Sequence, residues 1–188
     1  MKILHLSDTH NKHRDLGQMP QADVLVHTGD FSNYGTEDEV LSALKWLMTL
    51  PYKHIIFVAG NHDCCLFDAD NIEGLPENVH FLHNSSVVVD GISFYGLAFA
   101  NSQIPDEIPV DVLVSHEPPL GILDFADNQH WGTALILDIV TTRRPHLHLF
   151  GHIHHAYGVI EWKGTTFSNA AVTDRDNNVK YSPRLLIY

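Results

Sequence analysis

Short apolar runs, each three or four residues long, recur along the chain between polar clusters. Runs of this length that are rich in valine, isoleucine and leucine are typical of β-strands. A polar cluster directly follows almost every run, so each predicted strand ends where hydrophilic side chains begin. The predicted strands are Ile3–Leu6, Val24–Val26, Ile55–Val58, Val112–Val114 and Leu147–Phe150.

Helical patterns and hairpin signals fill the segments between these strands. Thr36–Glu39 has the pattern of a capping box and predicts a helix through about Leu50, since Pro51 cannot continue it. Apolar positions at helical spacing along this segment predict a face that packs on a sheet. The other predicted elements are a helix over 133–142, a hairpin of 86–89 and 92–95, a hairpin of 159–162 and 165–167, and a closing strand over 185–188.

The order of these elements indicates the fold class. The first half of the chain alternates strand and helix, whereas the second half is richer in strands and hairpins. This mixture predicts an α/β fold with two packed mixed β-sheets flanked by helices, rather than one doubly wound sheet. With 188 residues, the chain is expected to form a single domain over 1–188.

Composition restricts the partners and the compartment. The net charge of −12 argues against a surface that binds nucleic acid stably. No apolar stretch approaches the ~20 residues that a membrane-spanning helix needs, and the N-terminal run is too short for a signal peptide. The adjacent Cys64 and Cys65 are the only cysteines and are expected to be free thiols. We therefore expect a cytoplasmic protein without membrane attachment, whose oligomeric state the sequence leaves open.

The polar clusters after the strands have the composition of a metal site. Open α/β sheets bind ligands beyond the carboxyl ends of their strands, so clusters in this position are expected to meet. Their side chains offer oxygen and nitrogen donors only. The clusters are Asp8-Thr9-His10, Gly29-Asp30, Gly60-Asn61-His62-Asp63, Ser115-His116 and Gly151-His152-Ile153-His154.

The number and spacing of the donors indicate two cations. Asp8 and His10 alternate with Thr9, so on an extended backbone they would point to the same side and share one ion. His152 and His154 have the same spacing. Carboxylate, amide and imidazole donors suit manganese, iron, zinc or nickel better than thiolate-binding ions. Seven donors exceed one tetrahedral site and fit two cations that share a bridging carboxylate: Asp8, His10, Asp30, Asn61, His116, His152 and His154.

The ordered motifs resemble the calcineurin-like metallophosphoesterase superfamily over residues 8–154. The segments 29–35, 116–124 and 150–158 are similar to a narrower branch, the metallophosphoesterase-domain-containing phosphodiesterases. That branch more often has glycine where Glu117 stands and an acid where His155 stands, so both positions are candidate determinants of specificity. The resemblance implies a four-layer α/β/β/α sandwich and two divalent ions, with manganese or iron expected first and zinc or nickel as alternatives.

The resemblance also implies a role for each matching residue. Asp8, His10, Asp30 and His154 would hold the first ion, and Asp30 would bridge to a second ion. Asn61, His116 and His152 would complete the second site. A hydroxide that bridges the ions would attack the phosphorus of a small phosphodiester, with cyclic nucleotides among the candidate substrates.

Four further residues are predicted to act near the metals. His62 follows the ligand Asn61 and is the candidate that stabilises the phosphoryl charge or protonates the leaving oxygen. Asp63 would accept the other ring proton of His62 and orient it. Asn33 and His13 are candidate substrate contacts on the loops after the first two clusters.

Two alternative functions remain open at this point. A phosphomonoesterase of the same fold usually carries arginine after Gly-Asp and after Gly-Asn-His. The corresponding segments of this chain, 31–34 and 63–65, contain no arginine. A non-catalytic scaffold usually has substituted ligands, and this chain has the complete set.

Substrate selection is expected from the loops 64–76, 99–109 and 117–132. The polar run 173–178 is expected to be a solvated surface loop.

Overall fold

A computed structural model describes residues 1–99 and 104–188 of the chain. These residues form two large β-sheets with a helix on the outer side of each, and one small two-stranded sheet. The regular elements are β1 Lys2–Leu6, β2 Val24–His27, α1 Glu37–Thr49, β3 His54–Phe57, β4 Val79–Phe81, β5 Ser85–Val89, β6 Ile92–Gly96, β7 Val112–Val114, β8 Phe125–Ala126, β9 Gln129–His130, α2 Ala134–Arg143, β10 Leu147–Phe150, β11 Gly158–Trp162, β12 Thr165–Asn169 and β13 Arg184–Ile187. Short 3-10 helices cover His13–Leu16, Cys64–Leu66 and His154–Ala156.

Both sheets are mixed, as the sequence predicts. The first has the strand order β13-β1-β2-β3-β4, in which β1 to β4 run parallel and β13 pairs antiparallel at one edge. The second has the order β11-β12-β10-β7-β6-β5, with a parallel centre and an antiparallel hairpin at each edge. The predicted strands are confirmed to within two residues, whereas β4 and the small β8–β9 hairpin are additions that the sequence patterns do not predict.

The cores between the layers confirm the four-layer sandwich. Alternate residues of β1 lie on opposite faces, so that Ile3 packs between the sheets while Leu4 packs toward α1. Helix α1 buries Leu44 and Leu47 against the first sheet, and α2 packs Ile136 against the second. Because both faces of the central strands are covered, their sequences are almost continuously apolar.

The start of α1 follows the predicted capping box and reaches the loop after β1. The Thr36 hydroxyl accepts a hydrogen bond from the Glu39 backbone N–H at 3.4 Å, and the Glu39 carboxylate accepts from the Thr36 N–H at 3.3 Å. The same carboxylate accepts from the Asn11 side-chain amide at 2.6 Å. The helix therefore helps to hold the segment that carries Asp8 and His10.

The segment 173–183 is mainly irregular, as expected, and closes with β13. The predicted loop 99–109 includes residues 100–103, which lie outside the described part of the chain. Within the described ranges, neither helix has the length and apolar character needed to cross a membrane.

Candidate metal centre

The polar clusters meet at one end of the sandwich because the central strands of both sheets run parallel. Asp8 and His10 follow β1, Asp30 follows β2, and Asn61 lies beyond the end of β3. The second sheet contributes His116 after β7 and two histidines after β10. A bridge between Ser7 and Ala171 joins the ends of the two sheets. The parallel strands thus deliver the predicted donors to one place. The two donors after β10 are His152 and His154.

Six of the seven predicted ligands form two groups of metal-binding atoms. Asp8, His10 and His154 form the first group, and Asp30, His116 and His152 form the second. Within each group, one ligand atom from each residue lies within 4.8 Å of the others. The seventh, Asn61, adjoins the second group, since its Oδ1 lies 2.9 Å from His116 Nε2.

Asp30 lies between the two groups. Its Oδ2 atom is 3.3 Å from His116 Nε2 and 3.7 Å from His10 Nε2. One carboxylate oxygen thus faces a ring nitrogen of each group. A third cluster of possible ligand atoms joins His10, Asp30 and His62. This is the arrangement that a bridging carboxylate between two cations requires.

The charge of the site fits the binding of divalent cations. Asp8 is fully buried and Asp30 is 2% exposed, so two carboxylates share a desolvated space. Burial and the neighbouring His116 lower the pKa of His152 to about 4, which makes it a neutral imidazole at pH 7. Burial opposes protonation of His116, but the Asp30 carboxylate outweighs it and raises the pKa of His116 to about 10. A divalent ion would displace that proton and neutralise the carboxylates.

Backbone carbonyls orient three of the imidazoles. His116 Nδ1 donates to the Thr28 carbonyl at 2.8 Å. His10 Nδ1 donates to the Ser32 carbonyl at 3.1 Å, and His154 Nδ1 donates to the Asp174 carbonyl at 2.8 Å. With Nδ1 engaged, each ring offers Nε2 to the interior of the site. The carbonyl partners therefore fix the tautomer that metal binding needs.

Four of the predicted ligands adopt left-handed backbone conformations. The φ angles are 56° for Asp8, 41° for His10, 54° for Asp30 and 67° for His152. The expectation that Asp8 and His10 extend from a strand is therefore wrong, although both still reach one group. Left-handed non-glycine residues carry strain of about 1–3 kcal/mol each and cluster at functional sites. Sharp turns, rather than strand alternation, direct these side chains inward.

Two glycines allow the backbone to approach the buried carboxylates. A Cβ atom on Gly60 would lie 2.2 Å from Asp30 Oδ1, and one on Gly151 would lie 2.1 Å from Asp8 Oδ2. Both distances are far inside van der Waals contact. A side chain at either position would therefore displace a predicted metal ligand.

We expect Gly60→Ala to lower metal content and to destabilise the fold by about 1–3 kcal/mol, as overpacking commonly does. The added methyl group collides with Asp30 at its backbone and its carboxylate. Gly158→Ala is the matched control, because its nearest neighbour, Leu123 Cδ2, would lie 3.3 Å away. Metal analysis and thermal unfolding measure both effects. Equal metal content in the two variants would contradict the proposed close packing.

The predicted role of Asp63 as the partner of His62 is wrong. The Asp63 carboxylate accepts hydrogen bonds from the backbone N–H groups of Asp30, Ser32 and Gly60 at 2.8–3.0 Å, and from the Ser32 hydroxyl at 2.8 Å. Burial and the charge of Asp30 raise the pKa of Asp63 to about 6. Asp63 therefore joins the loops after β2 and β3 and supports Asp30, rather than orienting His62.

Asn33 performs the orienting task predicted for Asp63. His62 Nδ1 donates to the Asn33 carbonyl at 2.6 Å, and the His62 backbone N–H donates to Asp30 Oδ1 at 2.8 Å. The His62 ring is exposed, and its centroid lies 4.9 Å from that of His10. His62 therefore lies beside the metal-binding groups, and Nε2 is the ring nitrogen that does not contact the Asn33 carbonyl. The Asn33 side chain instead accepts from the Asn177 amide at 3.1 Å.

His13 does not reach the metal centre, and its predicted substrate contact is wrong. Its side chain is buried, and its ring packs 5.0 Å from the ring of Trp46 on α1.

The two residues predicted to determine specificity both lie near the metal centre. His155 lines the cleft above it, while Glu117 is half-buried beside the ligand His116. Burial raises the pKa of Glu117.

A cleft of about 390 Å³ opens above the ligands. Its rim includes residues that sequence reasoning does not select, from the β8–β9 hairpin and from the polar loop 173–178. The hairpin belongs to the segment 117–132, one of the loops expected to select substrate. No spacing motif marks the loop 173–178, since only the tertiary fold brings it to the cleft. The added rim residues are Ala126, Asp127, Trp131, Arg175 and Asn177.

Comparison with known proteins places this geometry in a family. The calcineurin-like phosphoesterase family matches residues 1–156. Metallophosphoesterase domain-containing protein 1 of Homo sapiens is 35% identical over 97% of this chain and 68% of its own length. A UPF0046 protein of Caenorhabditis elegans is 31% identical over 97% of this chain and 73% of its own length. A 3′,5′-cyclic-nucleotide phosphodiesterase of Nostoc sp. is 28% identical over 73% of this chain and 58% of its own length.

The fold also matches solved structures. The protein TT1561 of Thermus thermophilus superimposes with a TM-score of 0.65 over 90% of this chain and 88% of that chain, at 13% sequence identity. Identity this low shows the shared fold alone. The family match over residues 1–156 and the groups of Asp and His ligand atoms support an assignment beyond the fold. The chain belongs to the calcineurin-like phosphoesterase family and is a metallophosphoesterase.

Proposed function

We propose that the protein is a dinuclear phosphodiesterase that hydrolyses small phosphodiesters, with cyclic nucleotides as the first candidates. The observation that carries the proposal is the position of Asp30 Oδ2 between the ring nitrogens of His10 and His116. Two cations that share this carboxylate have the arrangement used for in-line displacement at phosphorus.

The first ion would be held by Asp8, His10 and His154, and the second by His116, His152 and Asn61, with Asp30 shared between them. Manganese or iron is proposed first because carboxylate, amide and imidazole donors suit these ions, and zinc and nickel accept the same set. When bound, the two cations would offset the phosphoryl charge and provide a nucleophile from water at neutral pH.

His62 is proposed to act on the substrate. Its Nδ1 atom is engaged by the Asn33 carbonyl, so Nε2 is the ring atom that can face the cleft. In the protonated form this atom can donate to a phosphoryl oxygen or deliver a proton to the departing oxygen. The hydrogen bond to the carbonyl also fixes the direction of the ring, so that Nε2 keeps one orientation toward the cleft.

The loops beside the metals favour a monoanionic diester. The segments 31–34 and 63–65 contain no lysine or arginine that could grip a dianionic phosphate. The single hydroxyl proton of Ser32 is already engaged, since Oγ lies 2.6 Å from the His62 carbonyl oxygen and 2.8 Å from Asp63 Oδ1. The name of the Nostoc relative supports cyclic nucleotides as the first diesters to test.

The decisive experiment is a substrate panel with the metals varied. We expect the metal-free protein to be inactive and added manganese to give turnover of bis(p-nitrophenyl) phosphate and of 2′,3′- or 3′,5′-cyclic nucleotides. Monoesters tested in parallel should react more slowly. Faster monoester turnover would favour the phosphomonoesterase alternative, and a protein that binds no metal and hydrolyses neither class would favour the non-catalytic scaffold.

A further inference from the structure

Arg175 stands out at the rim of the cleft. Among the described residues that line the cleft, it is the one lysine or arginine. The sequence places it far from every metal-binding motif, in the polar loop 173–178. We propose that Arg175 is a phosphate-binding residue that holds the non-bridging oxygens of a phosphate group at the metal centre, and that it binds the dianionic monoester product of hydrolysis more strongly than the monoanionic diester substrate.

The loop that carries Arg175 is attached directly to the metal centre. The Thr173 hydroxyl donates to the Asp8 carbonyl at 2.6 Å, and the Asp174 carbonyl accepts from the ligand His154 at 2.8 Å. The Asp174 carboxylate accepts from the backbone N–H groups of Asp176 and Asn178, both at 3.0 Å, which fixes the turn around Arg175. Arg175 therefore starts from a backbone whose position is tied to two metal ligands.

The guanidinium group extends from this loop to the opposite side of the cleft. One terminal nitrogen, Nη2, donates to the Asp127 carboxylate at the turn of the β8–β9 hairpin. A guanidinium has five N–H donors in a planar fork, so one contact of this kind leaves donors for an anion. Both side chains of the pair are about half exposed, so a ligand in the cleft can reach them.

The hairpin that carries Asp127 is itself anchored. Asp124 is buried, and its carboxylate accepts from the backbone N–H groups of Gly121 and Gly132 at 2.9 and 3.0 Å. The same carboxylate accepts from the His130 ring at 2.7 Å. Asp127 thus holds Arg175 over the cleft from a fixed point. The ion pair acts as a positioning contact that keeps the guanidinium extended above the ligands.

Charge explains why a dianion benefits most. The protein carries a net charge of −12, which repels anionic substrates in general. A guanidinium attracts a dianion about twice as strongly as a monoanion at the same distance, and an anion bound by its remaining N–H donors would lie closer to it than to the paired Asp127 carboxylate. Arg175 therefore supplies, for the dianionic product, a cation that the segments 31–34 and 63–65 lack. This inference rests on the proposed function in one respect, namely that a phosphoryl group binds at the metal centre.

The test compares Arg175→Gln, Arg175→Lys and the control Lys53→Gln, each as the full manganese-loaded chain. Lys53 is a matched control because it forms an exposed ion pair with Asp90 away from the cleft. Calorimetric titration with inorganic phosphate at pH 8 measures dianion binding. The KM and kcat for bis(p-nitrophenyl) phosphate measure the monoanionic diester. Thermal unfolding checks that each variant is folded.

We expect Arg175→Gln to weaken phosphate binding about tenfold, the lower range for a charge-assisted hydrogen bond at a half-exposed site. The KM for the diester should rise no more than about threefold. The kcat should be almost unchanged, because the lost contact is made equally to the bound substrate and to the transition state. Arg175→Lys should recover part of the phosphate binding, because it keeps the charge but loses the planar fork. Lys53→Gln should match the parent protein.

Unchanged phosphate binding in Arg175→Gln would overturn the proposal, as would an equal loss in Lys53→Gln. A larger loss for the diester than for phosphate would overturn the preference for the dianion. Failure of the parent protein to hydrolyse any diester would count against the proposed function instead. In that case the phosphate titration still decides whether Arg175 binds the anion.

Discussion

Asp30→Asn is expected to lower phosphodiester turnover more than about 100-fold and to leave at most one ion per chain. Loss of residues that merely orient metal ligands costs about 10–100-fold in metal affinity or activity, and loss of a shared ligand should exceed this range. The neutral amide removes the negative charge whose oxygen lies 3.3 Å and 3.7 Å from the two imidazoles. Metal analysis and hydrolysis of bis(p-nitrophenyl) phosphate measure the two effects.

The substitution keeps the shape of the side chain, so a loss of metal can be attributed to the missing charge rather than to a folding defect. An amide oxygen can still accept the hydrogen bond that Asp30 Oδ1 receives from the His62 N–H. Asp90→Asn is the matched control, since Asp90 is an exposed carboxylate that pairs with Lys53. Two ions and normal turnover in Asp30→Asn would contradict the bridging role, while equal losses in Asp90→Asn would indicate a general effect of charge.

His62→Ala is expected to keep both metal ions and to lose about 10²–10⁴-fold in kcat, the range typical of a general acid or base. The reason is that His62 is an exposed residue at the cleft and is not one of the seven predicted ligands. Its Nδ1 is bound to the Asn33 carbonyl, and its ring borders His10 at 4.9 Å between centroids. Steady-state kinetics with metal analysis on the same preparation gives both quantities.

His146→Ala provides the control for His62→Ala. His146 is an exposed histidine that precedes β10, at the opposite end of that strand from the metal ligands. Unchanged kcat in His62→Ala would remove His62 from the mechanism. Loss of one ion would instead make His62 a ligand, which is the other role open to it as a member of the group with His10 and Asp30.

The strands and the approximate place of the metal centre could be predicted from local sequence. The apolar runs predict the central strands because each is covered on both faces and needs no polar residue until it ends. Parallel strands place their carboxyl ends together, so Asp30 after β2 and His116 after β7 are expected to meet. The capping box at Thr36–Glu39 is equally local, and it is confirmed.

The partners of individual side chains required the folded chain. His62 and Asp63 are neighbours in sequence, yet one donates to Asn33 while the other accepts from three backbone N–H groups across two loops. His13 follows a predicted ligand cluster, yet its ring turns toward Trp46. Such directions depend on left-handed turns and on long-range packing, which periodicity along the chain does not encode.

The sequence by itself determined the types and the order of the metal donors, because a strand and the polar residues at its end are set by neighbouring positions. The tertiary structure decided which oxygen lies between the two groups of donors, and which residues from distant loops form the rim of the cleft. Arg175 and Asp127 are separated by 48 positions, and their contact exists because two anchored loops close over the same site. A contact of this kind depends on the folded chain as a whole.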